Sequence, residues 1–142
     1  MGKSTREMIT VSAVVDAPIE KVWRCWTTPE DIMRWNNASD DWHTPSATND
    51  VRPGGTFTYR MEARDGSFGF DFSGVYERVD AHQLISYALG DERKVKILFE
   101  EQGSQTKVIE SFDAESRNPV EMQRDGWQAI LNNFKMYVER CP

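Results

Sequence analysis

The sequence is poor in the residues on which disulfide frameworks and metal centres depend. Its 142 residues include two cysteines and two histidines. Cys25 and Cys141 are too few to build the disulfide scaffold of a small secreted protein. His43 and His82 lack the regularly spaced partner ligands that a metal site needs. We therefore predict neither a metal site nor another cofactor.

Long apolar runs and clustered basic residues are also missing. No stretch approaches the roughly eighteen consecutive apolar residues of a membrane-spanning helix. The N-terminus lacks the apolar segment of a secretory signal. Lysine and arginine are scattered along a chain whose net charge is −6, which disfavours nucleic-acid binding because phosphates need a concentrated basic surface. These absences predict a protein of the reducing cytoplasm.

The most regular apolar pattern lies near the C-terminus. From Trp127 to Val138, large apolar residues recur every three or four positions, which predicts a long amphipathic helix. Asn118, Pro119 and Glu121 have the order of a capping box with proline at the first helical position. A helix with this much aromatic surface needs an apolar partner, and the middle of the chain is rich in strand patterns.

Alternation of apolar and polar residues predicts a series of antiparallel strands. The predicted strands cover residues 9–15, 56–63, 68–79, 84–89, 93–101 and 106–113. Two short helices are predicted after the first strand, beginning near Pro18 and at Pro29. Residues 36–50 show no periodicity and are predicted to form an irregular polar loop. A change of parity beside Ser73-Gly74 predicts a β-bulge or a bend at that point.

This order of elements predicts an α+β fold in one domain covering residues 1–142. In it, a curved antiparallel sheet of about six strands wraps around the long C-terminal helix, with two short helices after strand one. A sheet seldom closes tightly on a helix along its whole length. A cavity between the two is therefore expected.

Several short motifs, taken in order, resemble a known family. They are Asp16-Ala17-Pro18-Ile19-Glu20-Lys21-Val22-Trp23, Trp26-Thr27, Pro29-Glu30, Arg34-Trp35, Asp50-Val51-Arg52-Pro53-Gly54-Gly55-Thr56-Phe57, Met61, Asp65-Gly66 and Gly126-Trp127. The chain resembles the activator of heat-shock protein 90 ATPase homologue-like branch of the START/Bet v 1 (SRPBCC) superfamily. The resemblance implies a START-like helix-grip domain with a hydrophobic cavity between sheet and helix.

Fold is transferred by such a resemblance more safely than function. The superfamily includes lipid carriers, cyclases, receptors and a co-chaperone. Binding of a small apolar or aromatic molecule, or of a lipid, is the function we expect. The alternatives are a protein-interaction module resembling the co-chaperone and a cyclase or hydrolase with acid and base residues in the cavity. No catalytic triad or cofactor motif supports the enzyme.

Candidate ligand-binding residues are mostly aromatic, because tyrosine and tryptophan combine apolar surface with one polar group. The set is Trp35, Trp42, Phe57, Tyr59, Phe72, Tyr87 and Trp127, together with His43 and Glu110. Plain core packing is the competing explanation for many of the aromatic residues, and local surface hydrogen bonding is the one for His43. Glu110 faces the interior if Val108 and Phe112 do, and it is solvated if Ile109 points inward instead.

Overall fold

The computed structural model describes residues 7–141, and three helices and seven strands lie in that part of the chain. In chain order they are β1 (Met8–Val15), α1 (Ile19–Thr27), α2 (Pro29–Trp35), β2 (Trp42–Asn49), β3 (Thr56–Ala63), β4 (Gly69–Asp80), β5 (Leu84–Leu89), β6 (Lys94–Gln102), β7 (Gln105–Asp113) and α3 (Val120–Arg140). The predicted α+β fold with a curved antiparallel sheet and a long C-terminal helix is confirmed, with seven strands in place of about six.

The strands form one sheet in the order β1-β7-β6-β5-β4-β3-β2, and all neighbours are antiparallel. The first two strands of the chain are therefore the two edges. Strands β3 to β7 follow one another as a meander, which is the arrangement that short turns allow. Helices α1 and α2 carry the chain from one edge of the sheet to the other.

Helix α3 packs its apolar face into the curled sheet. Leu131, Phe134 and Val138 are completely buried. The aromatic ring of Trp127 stacks on Phe112 of β7, with ring centroids 3.8 Å apart and planes 12° apart. At the other end of the helix, the Tyr137 hydroxyl donates a hydrogen bond to the carboxylate of Asp31 in α2. None of the helices described is long and apolar enough to cross a lipid bilayer.

Strand β2 corrects the prediction of an irregular loop over residues 36–50. Residues Trp42–Asn49 pair with β3 along the sheet edge. The pairing shifts register between His43 and Ser46, where Pro45 cannot donate a ladder hydrogen bond. Because of this shift, β2 has no period-two pattern of burial. The register shift therefore explains why β2 lacks the alternation of apolar and polar residues that identified the other strands.

The irregularity in β4 lies further along the strand than predicted. Pairing with β3 is continuous through Gly74, and the register shift occurs against β5 between Tyr76 and Arg78. Gly74 has a different role. A Cβ atom at this position would lie 2.8 Å from the ring of Phe57, so glycine leaves room for that buried side chain.

The predicted capping box of α3 is wrong. The helix begins at Val120, its N-cap is Pro119, and no side chain caps it. The Asn118 amide instead donates to Glu115 at 3.3 Å. The buried Gln123 amide donates to the backbone oxygens of Glu115 and Asn118 at 3.1 and 2.8 Å and accepts from the Glu115 N–H at 2.9 Å. Side-chain hydrogen bonds from the first turn of α3 thus connect the helix to the preceding loop.

Candidate functional site

A pocket of about 180 Å³ lies between the inner face of the sheet and the helices. Strands β3, β4, β5 and β7 form one side, and residues of α1, α3 and the end of α2 form the other. The residues that line it are Trp26, Trp35, Asn36, Tyr59, Met61, Phe70, Phe72, Tyr76, Ile85, Tyr87, Glu110, Trp127 and Ile130. Eight of these thirteen residues are aromatic, so the walls are largely apolar.

Two groups of aromatic side chains build the walls. On the helical side, Trp26, Trp35 and Phe134 are in mutual contact, with ring centroids 4.8 to 5.0 Å apart. The Trp35 indole donates to the backbone oxygen of Cys25 at 3.0 Å, which fixes the ring. On the sheet side, Phe72 meets Trp127 edge to face at 6.2 Å. The shape of the pocket is therefore set by packed rings.

A chain of hydrogen bonds ties the sheet side of the pocket to α1. Tyr59 is hydrogen-bonded through its hydroxyl to Tyr76, and Tyr76 donates in turn to the side-chain oxygen of Asn49. The Asn49 amide donates to the backbone oxygen of Thr27 at 2.8 Å. Burial raises the pKa of Tyr59 well above its usual value and that of Tyr76 to about 12. Both phenols are therefore protonated at neutral pH, and both serve as neutral hydrogen-bonding groups.

Glu110 lies in the middle of β7, opposite Val11 of β1 and Ile97 of β6. Its neighbours Val108 and Phe112 face inward with it, and Glu110 is 5% exposed. The sequence left open whether Glu110 points inward or into solvent. In the structure its carboxyl group points inward. Burial raises the pKa of Glu110 to about 8. At neutral pH most of this group is protonated.

The Glu110 carboxyl group has no hydrogen-bond partner among residues 7–141, in contrast to the buried side chains of Gln123, Thr106 and Thr44. Gln123 makes three hydrogen bonds to backbone groups. The Thr106 hydroxyl donates to the backbone oxygen of Ala17 at 3.0 Å, and the Thr44 hydroxyl donates to the backbone oxygen of Asn36 at 2.6 Å. Buried polar groups are normally paired because desolvation is expensive. Among residues 7–141, no fully enclosed side-chain nitrogen or oxygen atom lacks a partner, so the unpartnered Glu110 carboxyl group keeps accessible surface at the wall of the pocket.

Tyr87 and Asn36 are the remaining polar groups in the lining. The Tyr87 hydroxyl also has no hydrogen-bond partner within residues 7–141, and its pKa is raised well above the usual value by burial and then by the nearby Glu110. The Asn36 amide nitrogen donates to the Thr44 hydroxyl at 3.4 Å. Its side-chain oxygen accepts from none of the described residues. The pocket therefore presents a small set of unpaired polar atoms within aromatic walls.

Residues 16–139 match the family described as activator of Hsp90 ATPase homolog 1-like protein. The chain belongs to this family. An AHSA1-like protein from Aeromonas hydrophila is 44% identical, with coverage of 94% of this chain and 92% of that one and a TM-score of 0.88. A protein from Cytophaga hutchinsonii is 55% identical, with coverage of 92% and 91% and a TM-score of 0.81. No curated protein is significantly similar in sequence.

Proteins with much lower sequence identity share the fold of this AHSA1-like chain. A protein from Nitrosomonas europaea is 18% identical over 94% of each chain and superimposes with a TM-score of 0.80. At that level of identity, the likeness concerns the architecture alone. The resemblance noted in the sequence is confirmed as membership of the AHSA1-like family, with a fold consistent with the wider START/Bet v 1 superfamily.

Six of the nine candidate site residues of the AHSA1-like chain line the pocket, namely Trp35, Tyr59, Phe72, Tyr87, Glu110 and Trp127. The other three do not. Phe57 is buried behind the lining, with ring contacts to Tyr59, Phe72, Tyr76 and Tyr87. Trp42 and His43 lie on the edge strand β2, where His43 is 3.8 Å from Glu62 and Trp42 contacts Phe68 and Phe70.

Seven lining residues were not among the predicted candidates, namely Trp26, Asn36, Met61, Phe70, Tyr76, Ile85 and Ile130. Tyr76 was detectable, since even-numbered positions of β4 continue to face inward as far as the register shift after it. Asn36 carried no such signal. Its burial depends on Thr44 in the strand that the sequence did not reveal.

Proposed function

We propose that this AHSA1-like chain binds a small, largely apolar molecule in the pocket between the sheet and α3. The observation that carries the proposal is the unpartnered Glu110 carboxyl group, buried in the pocket wall. A polar group without a partner costs up to about 1–3 kcal/mol when water is excluded from it. A ligand that supplies the missing hydrogen bond removes that cost, and the aromatic walls bind its apolar body.

The size of the pocket indicates the size of the ligand. A dry cavity of about 150 Å³ holds one benzene molecule, and the pocket here has about 180 Å³. One aromatic ring with a short substituent fits this volume. Small-molecule sites are commonly apolar clefts with a few fixed polar groups, and Glu110, Tyr87 and Asn36 are such groups.

A pocket-filling variant provides the test. Ile130 lines the pocket from α3, whereas Met136 lies on the exposed side of the same helix. We expect indole and toluene to shift the amide resonances of pocket residues in the unmodified chain and in Met136→Phe. In Ile130→Phe the added ring occupies the pocket, so the shifts should be lost. Ligand shifts that are absent throughout, or that persist unchanged in Ile130→Phe, contradict the proposal.

A second candidate function, binding to a chaperone of the Hsp90 class, is favoured by an exposed aromatic cluster of Trp42, Phe68 and Phe70. Phe68 is 61% exposed, and its ring lies 6.1 Å from that of Trp42. Aromatic residues exposed together are typical of protein-binding surfaces. The name of the matched family, activator of Hsp90 ATPase homolog 1-like, suggests the class of partner.

The ATPase rate of an Hsp90-class chaperone tests this second function. We expect the unmodified chain to raise the rate and Phe68→Ser to lose the effect. Met8→Ser is the matched control, because Met8 is 59% exposed on the opposite edge of the sheet. A rate that does not respond to the unmodified chain, or that responds equally to all three proteins, rules this function out.

A further inference from the structure

The unpaired polar groups of the pocket are the Glu110 carboxyl group, the Tyr87 hydroxyl and the Asn36 side-chain oxygen, and each of them can accept hydrogen bonds. Glu110 offers two carboxyl oxygens with no protein partner in the part of the chain described. The Asn36 amide nitrogen donates to the Thr44 hydroxyl, and the Asn36 side-chain oxygen accepts from none of the described residues. The Tyr59 hydroxyl is already hydrogen-bonded to Tyr76. The complementary ligand group is therefore one with several N–H donors.

The charges of the residues that line the pocket favour cationic ligands over anionic ones. Of the described residues, none that lines the pocket is lysine, arginine or histidine. A ligand carboxylate or phosphate would be desolvated there without a counter-charge, which is strongly unfavourable. An ammonium group has its counter-charge in Glu110. The net charge of −6 on the whole chain also attracts cations rather than anions.

The aromatic walls favour the same class of ligand. A cation is attracted by the face of an aromatic ring within about 6 Å of its centre, and more strongly when water is excluded. Phe72, Tyr87 and Trp127 surround the pocket together with Glu110. Aromatic rings with one carboxyl group suit an amine whose organic body is apolar.

We infer that the pocket takes a small protonated amine on a one-ring apolar body, with Glu110 as the counter-ion. The inference rests on the proposed function and specifies its ligand. Tyr87, whose hydroxyl is unpaired, and the Asn36 side-chain oxygen accept the remaining N–H groups of the ligand. Glu110 is placed to recognise the ligand, and no chemical step is required of it.

Binding of this kind releases a proton at neutral pH. The free protein holds Glu110 largely as the neutral acid, because burial raises its pKa to about 8. The bound ammonium faces the carboxylate, so the carboxyl proton leaves to solvent when the amine enters. The apparent affinity should therefore rise roughly fiftyfold between pH 6 and pH 8, since the amine stays protonated over that range.

Other titrating groups around Glu110 do not produce this dependence. The other titratable side chains in the lining are Tyr59, Tyr76 and Tyr87, and burial raises the pKa of each. The neighbouring elements β1, β6 and α3 present the non-titrating side chains Val11, Ile97, Trp127 and Ile130. A pH dependence between 6 and 8 is thus attributable to Glu110.

Three probes of one size test the inference by titration calorimetry or resonance shifts. They are phenethylamine, phenethyl alcohol and phenylacetate, which are cationic, neutral and anionic at neutral pH. At pH 8 we expect phenethylamine to bind at least about tenfold more tightly than the alcohol, and phenylacetate to bind most weakly. The affinity of phenethylamine should rise from pH 6 to pH 8, and that of the alcohol should not.

Two variants complete the test. Glu110→Gln keeps the shape of the side chain and should lower the affinity for phenethylamine to that for the alcohol, without pH dependence. Glu101→Gln, at an exposed position of β6, should behave like the unmodified chain. Equal or tighter binding of the alcohol or of phenylacetate overturns the ligand class but leaves the proposed function standing. Failure of all three probes to bind overturns both.

Discussion

Replacement of Glu110 by glutamine should make the free protein more stable at neutral and alkaline pH. The reason is the difference in pKa between the two states of the chain. The carboxyl group has a pKa near 4.5 when it is solvated and about 8 in the folded protein, where burial disfavours its charged form. Between these values the folded protein keeps a proton that the unfolded chain has released, so stability falls as pH rises.

The magnitude follows from the same difference. One pKa unit corresponds to about 1.4 kcal/mol. The rise in pKa from 4.5 to about 8 therefore lowers the free energy of unfolding by at most about 5 kcal/mol, and this full loss is reached only above pH 8. Most of this loss falls between pH 5 and pH 8. Glutamine does not titrate, so Glu110→Gln avoids this loss. The difference in free energy of unfolding between Glu110→Gln and the unmodified chain should therefore grow by about 3 kcal/mol from pH 5 to pH 8.

Urea denaturation followed by tryptophan fluorescence at several pH values measures this margin. The difference between the two proteins isolates Glu110, because the pH dependence of all other groups cancels. Glu101→Gln controls for the general effect of removing one negative charge from an exposed strand position. A margin for Glu110→Gln that changes by less than about 0.5 kcal/mol would refute the argument that Glu110 is buried and uncompensated.

Three further predictions concern packing and reactivity. Trp127→Ala should destabilise the fold by about 3 kcal/mol in urea denaturation, because it removes a stacked and half-buried ring; a loss below about 1 kcal/mol would show that the ring is not part of the core. Gly74→Ala should cost about 2 kcal/mol, because its methyl group overlaps a buried phenylalanine ring, whereas Gly90→Ala meets nothing within 4 Å and should be nearly neutral. Equal losses for the two glycines would contradict that packing. Cys25 is completely buried, and burial raises the pKa of its thiol. A thiol reagent should therefore label the partly exposed Cys141 first. Simultaneous labelling of both cysteines in the folded chain would place Cys25 nearer the surface.

The order of elements and the wrapping of the sheet around α3 could be predicted because their signals are strong and local. Six strands show alternation, broken only beside Gly74, and the C-terminal apolar stripe has helical spacing over several turns. The edge strand β2 escaped prediction because Pro45 and the register shift beside it remove the alternation. The start of α3 was misplaced by one residue because the Asn118 side chain bonds to Glu115 and caps no backbone N–H group of the helix.

The orientation of Glu110 could not be decided from the sequence, because both faces of β7 carry apolar residues. Val108 and Phe112 lie on one face with Glu110, and Ile109 lies on the other, partly buried. The choice is made by long-range pairing. The register with β1 and β6 places Glu110 opposite Val11 and Ile97, which are both buried core residues. Period-two reasoning finds the two faces of a strand, but burial of one face depends on the elements packed against it.

A structural role and a ligand-binding role for Glu110 lead to opposite results for the same substitution. If the carboxyl group held the fold together, Glu110→Gln would lower stability, as loss of the bonds of Gln123 would. Glu110 makes no such bonds to residues 7–141, and its neutral state is enforced by burial alone. The substitution should therefore raise stability and lower the affinity for an amine. That combination is typical of a site where binding is gained at the expense of stability.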